Sequence, residues 1–523
     1  MLRKNKWTFV LVAFLLLCAA ACTPNTAGTD DQPDSEPGSE TPDPSAPSRD
    51  SIVIAVESDA VTMLANTDVN YVNDVQIRNI YDPLIERDEQ GQFIPGLAEE
   101  WESIDELTWE FKLRDDVVFH NGEPFNAEAV KFNIDYILDE SNQSFYLSRW
   151  TMVDEVEVVD DYTVRIKTSV PFPTLPLRIA DDLLIMEPTH VQEVGNEEAA
   201  RNPIGTGAYE FDQWQRDEYL ILTANDQYWK GEPQIKQVTF RYISEFSARL
   251  SAFLSGDVHL FKNVPVDSVA NIENDDQSKI EMIGSSRINY LALNNFYEGP
   301  LQDQRVRQAI NYAVDVDELL EAVLNGYGTK MTGPLSQINA DYTETSDYGY
   351  DPDRAIELIQ EAGYEPEDLN LQIDTPSGRY PMDTHVAQAI ASQLERIGIS
   401  VNIQVNEWGN HLAKIRQRDM QDMFILGWGP AYDGQGTIEN LFTENSPYSG
   451  FYDPEVEEQI YAALPIFDEN ERKQAFDDLQ HLLVEQAAWV PLWQQGDLYA
   501  VDDQLTFIPR VDERFTVFEM SWD

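Results

Sequence analysis

The side chains that most often carry chemistry are few in this sequence and poorly spaced for it. Both cysteines, Cys18 and Cys22, fall within the first 22 residues. The body of the chain therefore has no thiolate nucleophile, no thiolate metal site and no disulfide framework. The six histidines, at positions 120, 190, 259, 385, 411 and 481, stand singly, without metal-ligand spacing. The phosphate loop G-x-x-x-x-G-K-[ST], the dinucleotide turn G-x-G-x-x-G, the zincin helix H-E-x-x-H and the hydrolase elbow G-x-S-x-G are all absent. Glu86-Arg-Asp88-Glu-Gln90-Gly91 begins like a calcium loop, but the twelfth position is Leu97, where a bidentate carboxylate is required. A glycine-containing turn between two strands is predicted there instead. Paired carboxylates carry no signal, because 94 Asp+Glu make chance pairs everywhere. An enzyme is the weaker reading, and no metal or cofactor is expected.

Size and charge narrow the class further. A chain of 523 residues is long enough for two or three packed units, and 42% hydrophobic residues can fill their cores. The formal net charge of −59 excludes a nucleic-acid scaffold, which needs clustered cations, and disfavours docking on anionic lipid through a basic patch. The acids are spread along the chain, so most serve as solvated faces. Such a surface suits an exported protein of a salt-rich or alkaline habitat.

The body reads as alternating strands and helices. Ser51–Glu57 alternates apolar and polar residues, as does Trp109–Leu113. A helix follows the second of these, with Val130, Ile134, Ile137 and Leu138 on one stripe. Val306, Ala309, Ile310 and Ala313 form another helical face. From Asp383, the stripe Val386, Ile390, Leu394 and Ile397 stops at Gly398, and Ile399–Val405 then alternates with period two. That is half of a βαβ crossover, and the class is α/β. A last helix is predicted over Asp468–Glu485, with Asp468 and Glu471 placed as a capping box.

The N-terminal segment reads as an address. Arg3, Lys4 and Lys6 precede the apolar run Trp7–Ala21, which ends in Ala19-Ala20-Ala21-Cys22. A basic start, a short apolar stretch and small residues describe a secretory signal over 1–21. Its end is similar to a bacterial lipobox, with Ala19 where Leu is usual, so lipidation is expected at Cys22. Residues 22–49 hold Pro, Ser, Thr, Gly and acids and no large apolar side chain, which predicts an acidic, disordered tether.

Four ordered blocks carry a resemblance. These are Gly96-Leu-Ala-Glu-Glu-Trp101 continuing through Leu107–Asp115 to Phe119-His120-Asn-Gly122-Glu-Pro124-Phe125-Asn-Ala127; Pro203-Ile-Gly205-Thr-Gly207-Ala-Tyr209; Asn225-Asp-Gln-Tyr228-Trp229; and Asp303-Gln-Arg305-Val-Arg307-Gln-Ala309-Ile310. Together they resemble the bacterial family 5 solute-binding proteins, receptors of ABC importers for peptides, glutathione and nickel, over nearly all of 51–510. The blocks themselves read as turns and core. The resemblance implies a periplasmic-binding-protein-like α/β fold of type II (cluster C), with two lobes and an extra domain inserted in the first. Its expected division is 50–85, 203–288 and 488–523 for the first lobe, 86–202 for the insertion and 289–487 for the second lobe. Hinges are expected at Ser286–Leu291 and Gln486–Pro491.

The resemblance also implies ligand contacts. Peptide-binding members set an Asp, just after a Gly-Trp strand end, against the ligand's α-amino group. Here Gly427-Trp428 is followed by Tyr432-Asp433-Gly434. Asp433 comes one position early, beside a glycine, and is either the amine partner or a turn former. Trp428 and Tyr432 are either a cleft wall or core. Arg379 follows the strand Leu371–Asp374, at the strand end where α/β sheets bind ligands, and its guanidinium suits a ligand carboxylate. The alternative for Arg379 is a surface cation among acids. Trp408 and Trp493 complete the candidates. The implied function is a monomeric, lipid-anchored receptor at the cell membrane that captures short peptides and passes them unaltered to an ABC permease. The alternatives are the same fold binding a nickel chelate, an opine or an oligosaccharide, and, more weakly, an exported peptidase.

Overall fold

The computed structural model describes residues 50–68, 71–429 and 434–523. The expected signal, Cys22, the tether, Tyr432 and Asp433 lie outside the described residues.

The βαβ half predicted around position 390 shows why local pattern becomes architecture. Val386, Ile390 and Leu394 are buried on the inner face of the helix Asp383–Arg396. Gly398 takes φ +99, a left-handed value that suits glycine and ends the helix. Ser400–Asn406 then runs parallel to Asn370–Pro376, paired along its length from Asn370 opposite Ser400 to Pro376 opposite Asn406. The helix crosses over this pair and covers one face. The calcium-loop mimic is a hairpin, in which Ile85–Arg87 pairs antiparallel with Phe93–Pro95. The Asp88 carboxylate caps its turn, accepting from the backbone of Gln90 and Gln92 at 3.0 and 2.8 Å.

One large sheet organises both lobes. Its strand order is 400–406, 370–376, 423–428, 278–293, 489–502, 260–262, 51–56, 237–242, 219–224 and 209–215, with 328–330 paired to 489–502. The two long antiparallel strands, Ser278–Leu293 and Trp489–Asp502, belong to both halves. One end pairs with Met423–Trp428 in the second lobe, and the other pairs with Leu260–Lys262 in the first. Their register slips between Gly284 and Ile288, opposite Gln494–Gly496. The slip overlaps the expected hinge at Ser286–Leu291 on one strand. On the other it lies beyond Gln486–Pro491, where Trp489, Val490 and Pro491 are already in register with Ala292, Leu291 and Tyr290.

A second sheet has four antiparallel strands in the order 98–105, 108–113, 163–168 and 153–160. The helix Ala127–Leu138 supplies Val130, Ile134 and Ile137 to a core shared with Phe111, Trp150, Val164 and Ile166. Asn126 caps that helix through Ala129. Separate cores form on the first lobe around Ile54, Tyr209 and Phe240, and on the second around Ile310, Ile373 and Ile390.

The glycine block before Tyr209 acts through close approach. A Cβ on Gly205 or Gly207 would collide with the backbone of Ile80, and for Gly207 the Ile80 carbonyl carbon lies 2.5 Å away. Arg307 is buried and donates to the carbonyls of Leu301 and Gln486 at 2.9 and 2.8 Å, tying two helical segments of the second lobe together. Both observations agree with a packing role for these blocks.

Candidate functional site

The parallel strands Asn370–Pro376, Ser400–Asn406 and Met423–Trp428 end at one edge of the second-lobe sheet, and the loops leaving them gather there. This is the edge at which α/β sheets hold ligands. The loop after Pro376 is folded around the side chain of Asp383, which accepts from the backbone N–H groups of Gly378, Arg379 and Tyr380 at 3.2, 2.9 and 3.3 Å. Tyr380 is turned inward, and its hydroxyl donates to the Gly427 carbonyl at 3.1 Å. A Cβ on Gly427 would lie 2.5 Å from the Tyr380 ring, so only glycine lets the loop lock onto the strand that ends at Trp428.

With Tyr380 inward, Arg379 points out. Its guanidinium stands 5.2 Å from the Trp408 ring centroid and 5.4 Å from that of Tyr380, and the two rings meet edge-on at 5.9 Å. Trp408 in turn stacks on His411 at 6.1 Å. No carboxylate pairs with the Arg379 guanidinium among the described residues. The side chain is exposed, yet its proton affinity is lowered by surrounding protein and next by Arg287. Tyr380, and after it Glu513 and Glu57, pull the other way.

The facing side carries a buried ion cluster. Lys262, at the end of the strand Leu260–Lys262, hydrogen-bonds Glu513 and lies 3.1 Å from Asp497 on the long strand. Arg287, at the register slip, reaches Glu513 at 3.7 Å. Burial opposes charge on Lys262, Asp497 and Glu513, but Lys262 and Arg287 outweigh it at Glu513, whose carboxyl is held below its usual range. Burial wins at Asp497, whose carboxyl is pushed up. Glu57 accepts from Asn263 at 2.7 Å. Ser286 Oγ, Asn289 Nδ2, Tyr290 Oη and Gln495 Oε1, all on the two long strands around the slip, are buried without a hydrogen-bond partner. Native proteins rarely leave such atoms unpaired, and here they concentrate where the lobes join.

A model of the bacterial extracellular solute-binding proteins, family 5 (middle), matches residues 92–449. The chain belongs to this family. The solute-binding protein is similar to the glutathione-binding protein GsiB of Pectobacterium atrosepticum, 29% identical over 472 residues, which cover 87% of this chain and 90% of GsiB. Its fold matches the ABC transporter substrate-binding protein CtaP of Listeria monocytogenes, with a TM-score of 0.83 at 22% identity over 90% of this chain and 99% of that one. It also matches DppA of Helicobacter pylori in complex with the peptide STSA, with a TM-score of 0.74 at 24% identity over 90% and 98%. Family 5 proteins bind peptides or other small solutes and work with ABC permeases. The solute-binding protein is accordingly a receptor of an importer and not an enzyme. Among the described residues, no helix is long and apolar enough to cross a membrane.

The solute-binding protein brings together Arg379, Trp408 and the strand end at Trp428. Trp428 is half-buried against Tyr448 at 5.4 Å and lies opposite Ile288. Trp493 is not with them. It is 4% exposed and packed in the second-lobe core, in register with Asn289 and Lys330, so it has no free surface for a ligand. Sequence reasoning missed Lys262, Arg287, Asp497 and Glu513. A signal did exist for Lys262, a lone cation in the apolar run Val258–Val264.

Proposed function

We propose that this protein is a lipid-anchored receptor, tethered through Cys22, that captures short peptides, glutathione-like molecules included, and delivers them to its permease. The observation that carries this reading is Arg379. In a chain with 94 acids, its guanidinium is held by two aromatic rings and, among the described residues, by no carboxylate. A cation kept free of internal acids at a strand-end edge suits an incoming carboxylate, which it can grip bidentately. Asp433 serves the ligand's ammonium, with Trp428, Tyr432 and Trp408 as apolar wall. The orphaned polar atoms on the long strands give the ligand backbone further partners. Lobe closure bends the long strands at their register slip, with the first lobe drawn from 50–85, 203–288 and 488–523, the second from 289–487, and the insertion from 86–202.

Calorimetric titration with reduced glutathione and a panel of di- to tetrapeptides tests the reading. At least one should bind with one-to-one stoichiometry and be recovered unchanged. Arg379→Ala should weaken that binding by about 2–5 kcal/mol, as expected for loss of one partner of a desolvated charge pair. Binding of nickel chelates or sugars alone, or equal affinity in the variant, would overturn it.

A further inference from the structure

The four-stranded-sheet unit touches the second lobe directly. The Trp109 ring meets the Phe467 ring at 5.8 Å between centroids, tilted by 40°. Trp109 Nε1 donates to the Phe172 carbonyl at 3.2 Å, which fixes the indole to the segment that also carries Thr174 and Leu177. The Thr174 hydroxyl donates to the Gln435 side-chain oxygen at 3.3 Å. Leu177, from the same unit, forms a small apolar cluster with Val511 of the first lobe, against which Ile283 of the first lobe and Ile338 of the second pack. Trp109 and the segment Phe172–Leu177 to which it is fixed thus meet the second lobe at Phe467, Gln435 and the cluster against which Ile338 packs.

Those three points are braced against one another. Phe467 immediately precedes Asp468, the cap of the helix Glu469–Glu485. From that helix, Arg472 reaches the Asp341 carboxylate at 3.3 Å. The same carboxylate oxygen accepts from the Gly434 backbone at 3.0 Å, one residue before Gln435, and Asp341 is three residues from Ile338. The receiving surface is therefore a stiff patch, and the donating surface is anchored in its own core through Leu175 and Ile179.

We infer that the four-stranded-sheet unit is a latch. Trp109, Thr174 and Leu177 hold the second lobe shut, so a closed population exists before any ligand arrives. The inference rests on the reading that the lobes close. Contacts that exist only in the closed form bias the open–closed equilibrium by their own free energy, and that bias adds to whatever the ligand contributes. The latch is one aromatic pair, one hydrogen bond and a small apolar contact, so it shifts the equilibrium without locking it. Removing the aromatic pair should lower the closed-to-open ratio roughly three- to tenfold.

Small-angle scattering of the ligand-free full chain tests this independently of ligand identity. Trp109→Ala and Phe467→Ala should each raise the radius of gyration above that of the unaltered protein. The double variant should open no further than the larger single effect, since both remove one contact. Trp101→Ala, in the same sheet but outside the contact, is the control and should scatter like the parent. Circular dichroism confirms that each variant is folded, and Thr174→Val serves should either aromatic variant fail to fold. Unchanged scattering in folded variants, expansion equal to that of the Trp101 control, or additive expansion in the double variant would each overturn the latch. Failure to bind any peptide would instead overturn the functional reading and leave this result standing.

Discussion

The candidate site is built on an economy of single residues. Gly427 admits the Tyr380 ring, Tyr380 locks the loop, and Arg379 is left facing outward against Trp408. Lys262 plays the matching part on the other side. It is buried between Asp497 and Glu513, and together they hold its ammonium more basic than usual against the effect of burial. Replacing it with Met would leave two buried carboxylates facing each other with only Arg287 nearby. Such uncompensated charge costs about 3–5 kcal/mol. Lys262→Met should therefore lower the urea midpoint substantially at pH 7. Asp497→Asn added to that variant should recover part of the loss, and equal stability of Lys262→Met and the parent would show that the cluster is not a unit. The placement of the loop that carries Arg379 was legible in the sequence, because it follows a strand and precedes a helix. Lys262 was harder to place, since its partners Asp497 and Glu513 lie more than 200 residues away.

At the scale of elements, ion pairs tie the C-terminal segment to the hairpin and the neighbouring helix. Asp181, in the helix Leu175–Asp182, takes a bidentate grip from Arg87 at 3.0 and 2.9 Å, and Arg514 lies at 3.7 Å. Burial alone would raise its pKa, but Arg87 outweighs burial and brings it down from 3.8 to about 2. A carboxyl with a depressed folded pKa contributes stability that is fully present above its unfolded value. That stability is lost as pH falls through the folded one, so the window here runs from about pH 4 down to about pH 2. The shift corresponds to about 2 kcal/mol. Asp181→Asn should remove that part of the acid dependence, measured as the urea midpoint at pH 5 against pH 3. An unchanged difference between the two pH values would contradict it. The elements themselves were readable where a periodic stripe met a stop, as in Asp383–Arg396 and Gly398. The two long strands were not, because their pairing joins residues some 200 positions apart and nothing local marks its register. The same hidden register decided Trp493, which faces the core because it lies opposite Asn289 and Lys330.

At the scale of the whole molecule, excess charge and lobe motion dominate. A net charge of −59 repels itself in the compact state, and salt shortens the reach of that repulsion from about 30 Å at 0.01 M to about 3 Å at 1 M. The melting temperature should rise by several degrees over that range of sodium chloride, and a flat or falling trend would mean that local ion pairs outweigh the global field. Class and family were legible at this scale, since α/β alternation and four ordered blocks extend over most of the chain. The buried ion cluster was not, because Lys262, Arg287, Asp497 and Glu513 come from distant stretches of sequence. The most direct test of the central claim is a scattering titration of the full chain with short peptides that carry a free carboxylate, reduced glutathione among them. Compaction that saturates at one ligand per chain, and disappears in Arg379→Ala, is the predicted result. A chain whose dimensions stay constant across the whole panel, or that compacts equally without Arg379, would contradict the account.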